Sequence, residues 1–476
     1  MDLHINEQAE RPKYWQLYWQ IRQQILHGDL LPGCKLPASR ALAQQAGVAR
    51  VTVLEAFAQL QAEGFIVSRL GAGTFVAADL PLPVPALSDS FTPALSPWGQ
   101  RVLQAKHRKV TQGAVRQPID FGFGRSFPHI FPYDIWRRLL ARYLSTDDVM
   151  LSRYGSVAGF YPLRQALADY LQRLRGVQCT PEQVVIVSGA QQALDILARL
   201  LLGHRDEALV ETPGYTAAFE LFRLRGAKVT AVPVDETGFA VEAIPAESRA
   251  RLAFVTPSNQ FPRGGTMPLP RRLALLHWAR RHDALLIEDD YDGELRYDGR
   301  PLAALQGLDE DGRVIYLGTF SKVLFPALRL GYVVLPEPLL TPFLRAKELV
   351  DRGAPTLTQA AVADFITEGH FERHLHHLRE AYGQRRQVLV QALADYLPQR
   401  VHYSSAPAGL HVMLYLSEAC DEAALVRRAA DAGVGVYPGA AYHLQRPAPP
   451  SIMLGFSGLS ETDIEEGVRR LAKVLA

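Results

Sequence analysis

Short runs of β-branched and aliphatic residues alternate with helix-patterned segments through most of this chain, beginning near Ile119. The runs are 184–187, 208–210, 252–255, 284–287 and 314–317. Apolar strands separated by helices are typical of parallel βαβ units, in which both faces of the sheet are covered. We therefore predict a large α/β domain over 118–476. Its ligand site is expected where the strands end, since ligands bind at the carboxyl edge of open α/β sheets.

Composition places the chain among ordinary globular proteins. Of its 476 residues, 48% are hydrophobic and 21% are charged, which is enough material for a large core in two or three domains. The three cysteines are far apart, so we expect neither a disulfide framework nor a metal site, and a reducing compartment suits them. The first ten residues do not resemble a signal peptide, and no apolar run reaches the roughly 18 residues of a membrane span. We expect a cytoplasmic protein that does not enter a membrane.

The segment before residue 79 has the pattern of three short helices and a hairpin. Residues 14–27 carry a helical stripe closed by Gly28, and the helical patterns 39–46 and 50–63 are joined by a turn at Gly47. Two helices joined in this way form a helix-turn-helix, whose second helix enters the major groove of DNA. Two short strand patterns then surround a glycine-rich tip, as in the wing of a winged helix. The predicted winged helix-turn-helix, of α+β type, covers 11–78.

Charge and position indicate the DNA contacts of this head. Between residues 11 and 78 there are seven basic and three acidic side chains, a basic excess typical of DNA-binding domains, although the whole chain carries a net charge of only +2. The expected contacts lie at the starts of the two motif helices and at the tip of the wing: Arg40, Arg50, Thr52, Arg69 and Gly71. The alternative is a three-helix packing module that binds no DNA.

Four strings in the head resemble the winged helix of the GntR family of bacterial repressors. They are Leu36-Pro-Ala-Ser-Arg40, Val48-Ala-Arg50-Val-Thr52, Leu60-Gln-Ala-Glu-Gly64 and Gly71-Ala-Gly-Thr-Phe-Val76. The wing follows the helix-turn-helix in register, so the resemblance depends on more than one motif. It implies that the head binds double-stranded operator DNA.

Residues 79–117 have the composition of a linker. Spaced prolines between 81 and 97 fix φ and remove backbone donors, which favours an extended, semi-rigid segment. A basic stretch follows the prolines: Arg101, Lys106, Arg108, Lys109 and Arg116. Charge patterning leaves open whether this stretch is a solvated surface or contacts DNA phosphates.

A lysine in a strand-end loop carries the main chemical inference. Lys322 lies in Gly318-Thr-Phe-Ser-Lys322, directly after the run 314–317, and Arg329 follows seven residues later. A lysine with a lowered pKa can form a Schiff base with an aldehyde cofactor, and an arginine fork suits a phosphate dianion. A lone lysine is usually a solvated surface residue, so its companions at the other strand ends decide between the two interpretations.

Residues suited to the rest of such a cofactor follow the other strands. Asp289 can keep a pyridine nitrogen protonated, Tyr215 can stack on a ring, and the helix start after 184–187 can bind a phosphate. The candidate cofactor-binding residues are Ala190, Gln191, Tyr215, Asn259, Asp289, Tyr291, Thr319, Ser321 and Arg329. Taken singly, an acid run at a strand end is commonly a loop cap or metal ligand, and an isolated tyrosine is more often part of a core.

Together these loops resemble the fold-type I aminotransferases. They are more similar still to the MocR and GabR type of regulator, in which a GntR-like winged helix precedes an aminotransferase-like α/β domain. The resemblance implies pyridoxal 5′-phosphate (PLP) bound by Lys322 as a Schiff base, with Asp289 on the pyridine nitrogen, Tyr291 on the phenolic oxygen and Tyr215 stacked on the ring. The implied phosphate contacts are Ala190, Gln191, Thr319, Arg329 and, from a partner subunit, Tyr154. The resemblance also implies a homodimer in which each head packs on the partner's large domain.

The departures from the aminotransferases concern the groups that bind a substrate. Aminotransferases have a C-terminal arginine that binds the α-carboxylate; here Met453 takes that place or, if the alignment slips, Arg446. GABA-sensing regulators tend to have an arginine where this chain has Ala217, and the usual asparagine of the fourth loop is replaced by Phe261. Each lost charged hydrogen bond is worth roughly 1.5–3 kcal/mol, so the sequence disfavours a simple amino-acid effector.

Three functional hypotheses follow. The first is a PLP-dependent transcriptional regulator without physiological turnover, which senses PLP itself or a PLP-reactive amine. The second is a working aminotransferase that carries an accessory DNA-binding head. The third is a DNA-binding protein whose PLP site is vestigial. The operator, the target genes and the sign of regulation cannot be derived from the sequence.

Overall fold

The chain divides into two compact units, Met1–Ala94 and Leu95–Ala476. The structure is a computed structural model that describes residues 1, 3–81, 94–105, 117–125, 129–144, 152–299, 302–397, 402–404, 408–417, 420–444 and 448–475. All structural statements below concern these residues. Each unit is described by itself.

The first unit is a winged helix, as the sequence predicts. Its elements are α1 (Lys13–His27), α2 (Ser39–Gln45), α3 (Arg50–Ala62), β1 (Ile66–Arg69) and β2 (Gly73–Val76). The apolar stripe of α1 packs with residues of α2, α3 and the hairpin, so that Leu17, Leu42 and Leu60 are fully buried together. The antiparallel hairpin pairs Arg69 with Gly73, and the wing therefore turns at Leu70–Ala72. Gly71 has a φ of +74°, a conformation that favours glycine.

The second unit contains a large mixed sheet, helices on both of its faces and a smaller sheet. Its helices are α4 (Pro97–Gln104), α5 (Tyr133–Leu144), α6 (Tyr161–Arg175), α7 (Ala190–Leu201), α8 (Thr216–Arg225), α9 (Leu269–Arg281), α10 (Glu337–Asp351), α11 (Thr356–Thr367), α12 (His370–Tyr396), α13 (Glu422–Asp431) and α14 (Glu461–Leu475). Its strands are β3 (Ile119–Asp120), β4 (Val184–Val187), β5 (Glu207–Thr212), β6 (Lys228–Asp235), β7 (Gly238–Phe239), β8 (Ala250–Val255), β9 (Leu285–Asp290), β10 (Val314–Thr319), β11 (Gly331–Val334), β12 (His402–Tyr403), β13 (His411–Tyr415), β14 (Val434–Gly435), β15 (Tyr437–Pro438) and β16 (Ser451–Gly455).

The large sheet has the strand order β4-β11-β10-β9-β8-β5-β6-β7. The five strands β10, β9, β8, β5 and β6 are hydrogen-bonded in parallel. The sheet also contains two strands that were not among the predicted runs: β11, which lies antiparallel between β4 and β10, and the edge strand β7, which lies antiparallel to β6. The chain returns directly from β10 to β11 through the Lys322 loop, and a connection without a crossover helix produces an antiparallel neighbour.

Both faces of this sheet are covered, as the continuous apolar runs indicate. Along β4, Val184 and Ile186 join the core shared with α5, α6, α11 and α12. Val185 and Val187 point to the other face and join the core shared with α7, α8 and α10. This alternation is the two-residue period of a strand, here with apolar side chains on both sides.

The smaller sheet is antiparallel and has the order β12-β13-β16-β15, while β14 pairs with β3. It brings β16 and β13 side by side, with Met453 opposite Met413. None of the described helices is both long and apolar enough to cross a membrane.

Part of the expected linker, 79–117, forms a helix in the structure. Pro97, taken as a linker proline, is the first residue of α4, where a missing N–H costs nothing, and Ser96 caps this helix through Gly99 N (3.2 Å). Arg101 Nε donates to Leu224 O (3.0 Å), which ties α4 to the end of α8. The proline-rich residues 82–93 and the basic residues Lys106, Arg108, Lys109 and Arg116 lie outside the described residues.

A buried ion pair connects α6 to the large sheet. The side chains of Arg175 and Asp290 are both 1% exposed, and Arg175 Nε and Nη2 donate to Asp290 Oδ2 (2.9 and 2.6 Å). The same oxygen accepts from Tyr316 OH (2.6 Å). Because both charges are removed from water, each would be strongly destabilised without its partner.

We expect Arg175→Met to lower the free energy of unfolding by about 3–5 kcal/mol, because it leaves the Asp290 carboxylate buried and uncompensated. Urea denaturation of the full chain measures this loss. The control is Arg173→Met on the same helix, where the pair with Glu372 is half exposed and a loss below about 1 kcal/mol is expected. Equal losses in the two variants would show that the buried pair contributes no more to the free energy of unfolding than the exposed pair does.

Candidate functional site

The carboxyl ends of β4, β5, β8, β9 and β10 surround a cavity of about 210 Å³. The predicted residues that line it are Ala190, Gln191, Tyr215, Asp289, Tyr291, Thr319, Ser321, Lys322 and Arg329. They lie at the ends of four strands, β4, β5, β9 and β10, and span 140 residues of sequence. The parallel order of the strands brings them together, because parallel strands end at the same edge.

One end of the cavity is suited to an anion. Gly189, with a φ of +94°, precedes α7, and no side chain caps this helix start, whose first N–H groups have no partner within the helix. Arg329 Nη2 donates to Ser188 O (3.0 Å), which holds the guanidinium beside that helix start. The hydroxyls of Thr319 and Ser321 lie 3.1 Å apart on the same side of the cavity. Backbone donors, hydroxyls and a guanidinium therefore converge on one place.

Lys322 lies in the wall next to this anion site. Its Nζ is 4.5 Å from the centre of the Phe123 ring. Removal of the amino group from water lowers the pKa of Lys322, while the carboxylates of Asp292 and Asp289 partly oppose this shift. Gly124 makes the position possible, since a Cβ at this residue, whose φ is +72°, would collide with Nζ. A lysine with a lowered pKa is a competent amine nucleophile.

The acids at the ends of β9 and β5 are buried. Burial raises the pKa of Asp289 to about 7, and the neighbouring charges of Asp290 and Glu211 act in the same direction. Burial likewise raises the pKa of Glu211 to about 7, although its carboxylate accepts hydrogen bonds from Thr256 N (3.1 Å) and Thr256 Oγ1 (2.6 Å). A carboxylate destabilised in this way is stabilised by a cationic N–H placed opposite it.

Tyr215, the aromatic residue predicted to stack on a ring, lines the same cavity as Asp289. Tyr215 is partly buried in the wall of the cavity, and its hydroxyl donates to Gln191 Oε1 (3.2 Å). Phe254 supports it from behind, with the ring centres 6.1 Å apart. Tyr215 is thereby fixed in orientation with one face toward the cavity.

Two predicted cofactor residues do not line the cavity. Asn259 lies behind Tyr291, to whose hydroxyl its Nδ2 donates (3.2 Å). Tyr154 is 85% exposed on the surface of the protomer.

Sequence reasoning missed several residues of the wall. Phe123, Gly124 and Thr256 were not named, yet Phe123 and Thr256 line the cavity and Gly124 accommodates Lys322. Gly122 and Gly124 flanking Phe123 were a usable signal, since closely spaced glycines often mark a close approach of the backbone. Thr256 gave no signal beyond its place at the end of a strand.

Part of the cavity wall is apolar, where Phe261 lines it. Phe261, Tyr291, Met413, Tyr442 and Met453 form one buried cluster, of which the two methionines and Tyr442 do not line the cavity. Met453, the residue predicted to take the place of the aminotransferase arginine, is 1% exposed, and Arg446 lies outside the described residues. Among the described residues that line the cavity, Arg329 is the one guanidinium.

Arg125 is not a substitute for that arginine. Its Nη2 forms an ion pair with Asp120 Oδ2 (2.6 Å). The other oxygen of this carboxylate accepts from Tyr437 OH (2.8 Å). The charge of Arg125 is therefore already compensated within the protein.

The predicted DNA contacts lie on the surface of the first unit. Arg40 and Arg50 are exposed at the N-terminal ends of α2 and α3, and Arg50 Nε donates to Ser39 Oγ (3.3 Å). Thr52 is in the first turn of α3. Arg69 ends β1, with its guanidinium 5.3 Å from the centre of the Phe75 ring, and Gly71 is at the tip of the wing. Their placement is that of a recognition helix and a wing.

The cavity fits PLP by its chemistry. The start of α7 and Arg329 would bind the phosphate. Lys322, an amine of lowered pKa, would bind the aldehyde, and the buried carboxylate of Asp289 would bind the pyridine nitrogen. In the described part of the chain, no group of three His, Cys, Asp or Glu side chains is arranged to hold a metal ion.

Comparisons with known proteins agree with both units. Residues 13–76 match the family "Bacterial regulatory proteins, gntR family", and residues 130–471 match "Aminotransferase class I and II". The chain is 39% identical to the probable rhizopine catabolism regulatory protein MocR of Rhizobium meliloti, over 98% of this chain and 95% of that protein. It is 33% identical to the pyridoxine biosynthesis transcriptional regulator PdxR of Corynebacterium glutamicum, over 94% and 92%.

Solved structures agree for the second unit. The kynurenine aminotransferase of Pyrococcus horikoshii, solved in complex with PMP, superposes with a TM-score of 0.71 at 32% identity, over 75% of this chain and 90% of that chain. The predicted fold, a winged helix followed by a fold-type I aminotransferase-like domain, is confirmed, and PLP is the cofactor of this type of domain. The chain therefore belongs to the MocR type of transcriptional regulator, in which a GntR winged helix binds DNA and an aminotransferase-like domain binds PLP.

Proposed function

We propose that this regulator senses PLP itself in the cavity around Lys322, and that occupation of the cavity changes how its winged helices bind operator DNA. The single observation that carries the proposal is the contrast between the two sides of the cavity. The side suited to the cofactor has the start of α7, Arg329 and Asp289, whereas no second guanidinium is found among the described residues that line the cavity, and the apolar part of its wall is formed by Phe261, which packs in one cluster with Met413 and Met453. An α-amino acid would place its carboxylate against that apolar wall, where an unpaired charge is costly.

Each cofactor residue then has a role that follows from its position. Lys322 holds the aldehyde carbon, Asp289 faces the pyridine nitrogen, and Tyr215 covers one face of the ring. The phosphate contacts are Ala190, Gln191, Thr319, Ser321 and Arg329. The bound cofactor supplies an electrophilic carbon that can also react with an amine, so a PLP-reactive amine without a carboxylate is the second candidate effector.

Two subunits are part of the proposal. Tyr154 is 85% exposed, which suits a phosphate contact in the partner's cavity. A homodimer also presents two winged helices, as a two-fold symmetric operator requires. We propose that each head packs on the partner's large domain. Since bacterial operators are reached in the cytoplasm, we place the protein there.

Turnover as an aminotransferase is the rival function. The described residues that line the cavity include no second guanidinium to hold a substrate carboxylate, which speaks against it. Efficient transamination needs a group that holds the substrate in a reactive orientation. A mixture of the PLP-loaded protein with a panel of amines and amino acids, followed by absorption, decides between the two. Conversion at enzyme-like rates would favour the rival.

PLP is expected to change operator affinity at least about tenfold, within the usual range of allosteric coupling, and Lys322→Ala is expected to abolish this change. DNA fragments selected for binding from genomic DNA serve as operator, and fluorescence anisotropy gives the affinity with and without PLP. A response only when an amine is also present would identify the amine as effector. Unchanged affinity in every condition would remove the sensing proposal.

Arg50→Ala should weaken operator binding and reduce the slope of log affinity against log salt by about 1, because one phosphate contact is lost. Anisotropy titrations at several salt concentrations measure both quantities. Arg11→Ala is the matched control, since Arg11 precedes α1, is stacked on Trp15 (3.9 Å) and is not among the predicted DNA contacts. The assignment fails if the two variants behave alike.

Gly124→Ala should reduce PLP affinity by about tenfold or more, since the added Cβ displaces Lys322 Nζ and strains a backbone with φ of +72°. Absorption of the bound cofactor against PLP concentration gives the affinity. Gly312→Ala is the control: φ there is +67°, but a Cβ would meet open space. PLP binding by Gly124→Ala at the level of the control would contradict the contact with Lys322.

A further inference from the structure

Asp292, directly after Tyr291, is 1% exposed. Asn259 Nδ2 donates both to the Tyr291 hydroxyl (3.2 Å) and to Asp292 Oδ2 (2.8 Å). One amide thus holds a hydroxyl and a carboxylate side by side. The pair lies behind the part of the cavity wall that Tyr291 forms.

The backbone closes over this trio. Gly409 has a φ of +83°, and a Cβ there would lie 2.5 Å from Asn259 Nδ2 and 3.1 Å from Asp292 Oδ2. Tyr297 OH donates to Gly409 O and fixes the loop in this close position. Beyond the trio there is space of about 10 Å³, lined by Arg175 and Arg296 among others, which is room for one water molecule. The trio is therefore withdrawn from bulk solvent.

Asp292 is also a strong charge neighbour of Lys322. Burial lowers the pKa of Lys322, and of the two carboxylates that oppose this shift Asp292 acts more strongly than Asp289. The positive charge of Arg329 lowers the pKa of Lys322, as burial does. Burial raises the pKa of Asp292, and the charges of Asp290 and Glu294 act in the same direction, whereas the hydrogen bonds from Asn259 and Tyr291 lower this pKa and so favour the carboxylate.

The Tyr291 hydroxyl has one proton to donate. It accepts from Asn259, and a hydrogen bond with Asp292 contributes to the rise of the Tyr291 pKa. Asp292 and an anionic oxygen in the cavity compete for this proton. The hydroxyl therefore stabilises such an oxygen less than it would without Asp292.

We propose that Asp292 is a positioning residue of the cofactor site: with Asn259 it fixes the Tyr291 hydroxyl and places a carboxylate behind it, so that the Lys322 nitrogen keeps its proton when joined to the cofactor. The proposal rests on the function proposed above only in that Lys322 holds the aldehyde. A protonated nitrogen makes the cofactor carbon more electrophilic, which keeps the site responsive to an amine. The charge of Asp292 and its competition for the Tyr291 proton both raise the proton affinity of the Lys322 nitrogen.

The test is a pH titration of the cofactor's visible absorption band in the full-length PLP-loaded protein. The band reports protonation of the Lys322 nitrogen, without turnover. Asp292→Asn keeps the shape and the acceptor for Asn259 but removes the charge. We expect its titration to shift to lower pH by about one unit or more, a tenfold loss in proton affinity.

Glu294→Gln is the matched control. Glu294 is a buried acid two residues away whose Oε1 accepts from Tyr170 OH (3.3 Å), and glutamine can keep that bond. Its titration is expected to follow the wild type. An unshifted Asp292→Asn titration, or equal shifts in the two variants, would overturn the proposal.

A double-mutant cycle separates positioning from charge alone. In a Tyr291→Phe background, Asp292→Asn should shift the titration less than in the wild type, because the hydroxyl is gone. Additive shifts would reduce Asp292 to a distant charge and overturn the positioning role. If Asp292→Asn does not fold, as judged by thermal unfolding, Asn259→Ala takes its place, with a smaller shift in the same direction expected and no shift counting against the proposal.

Failure of the underlying function has a different signature. Lys322→Ala should lack the titrating band. If the wild type lacks it as well, the assignment of Lys322 fails. A titrating wild-type band that is indifferent to Asp292 removes this proposal and leaves that assignment intact.

Discussion

The amino group of Lys322 lies in a wall where aromatic rings and carboxylates meet, and its charge is determined by the competition between them. Burial withdraws it from water, which favours the neutral amine, while Asp292 and Asp289 favour the cation. The acids are in turn destabilised by their own burial. The Lys322 cation and the neighbouring carboxylates stabilise one another's charged forms. The loops that carry them must therefore keep their relative positions for the site to bind the cofactor.

That requirement explains how the sheet is supported around the site. Asp289 is held at the end of β9, and its neighbour Asp290 is fixed from behind by Arg175 and Tyr316. Glu211 binds Thr256 and Gln260 and so joins the loop after β5 to the loop after β8. Hydrogen bonds from several elements to one buried carboxylate, as at Asp290 Oδ2, restrict the geometry of the segments that they join. The acids at the strand ends thus order the loops as well as serving the cofactor.

The opposite wall has a different chemistry and a different consequence. Phe261 lines the cavity, and Met453 and Met413, opposite each other on β16 and β13, belong to the same buried cluster. Phe261 adds contact area for an apolar group but offers no hydrogen bond to a carboxylate. A ligand shifts an equilibrium between conformations only by binding one of them more tightly. Among the described residues that line the cavity, the charged contacts available to a ligand are those of Asp289, Lys322 and Arg329.

Much of the fold followed from local patterns. The stripes of α1 and α3, the wing and the apolar runs that became β4, β5, β8, β9 and β10 were all visible in the sequence, because side-chain periodicity is a short-range property. The strand-end positions of Lys322, Asp289 and Tyr215 were visible too. The direction of β11 and the helix α4 were not, since they depend on a direct return through the Lys322 loop and on packing of α4 against α8.

The sequence by itself determined which chemical groups stand at the ends of the strands, and hence that a phosphate, an aldehyde and a ring nitrogen could be bound together. Only the tertiary structure decided how those groups are arranged around one another. It placed Asn259 behind Tyr291 rather than in the cavity, brought Gly124 against Lys322, and buried Asp292 beneath Gly409. The physical reason is that these contacts join residues 32 to about 200 positions apart in sequence, and no local spacing records the distance between them in space.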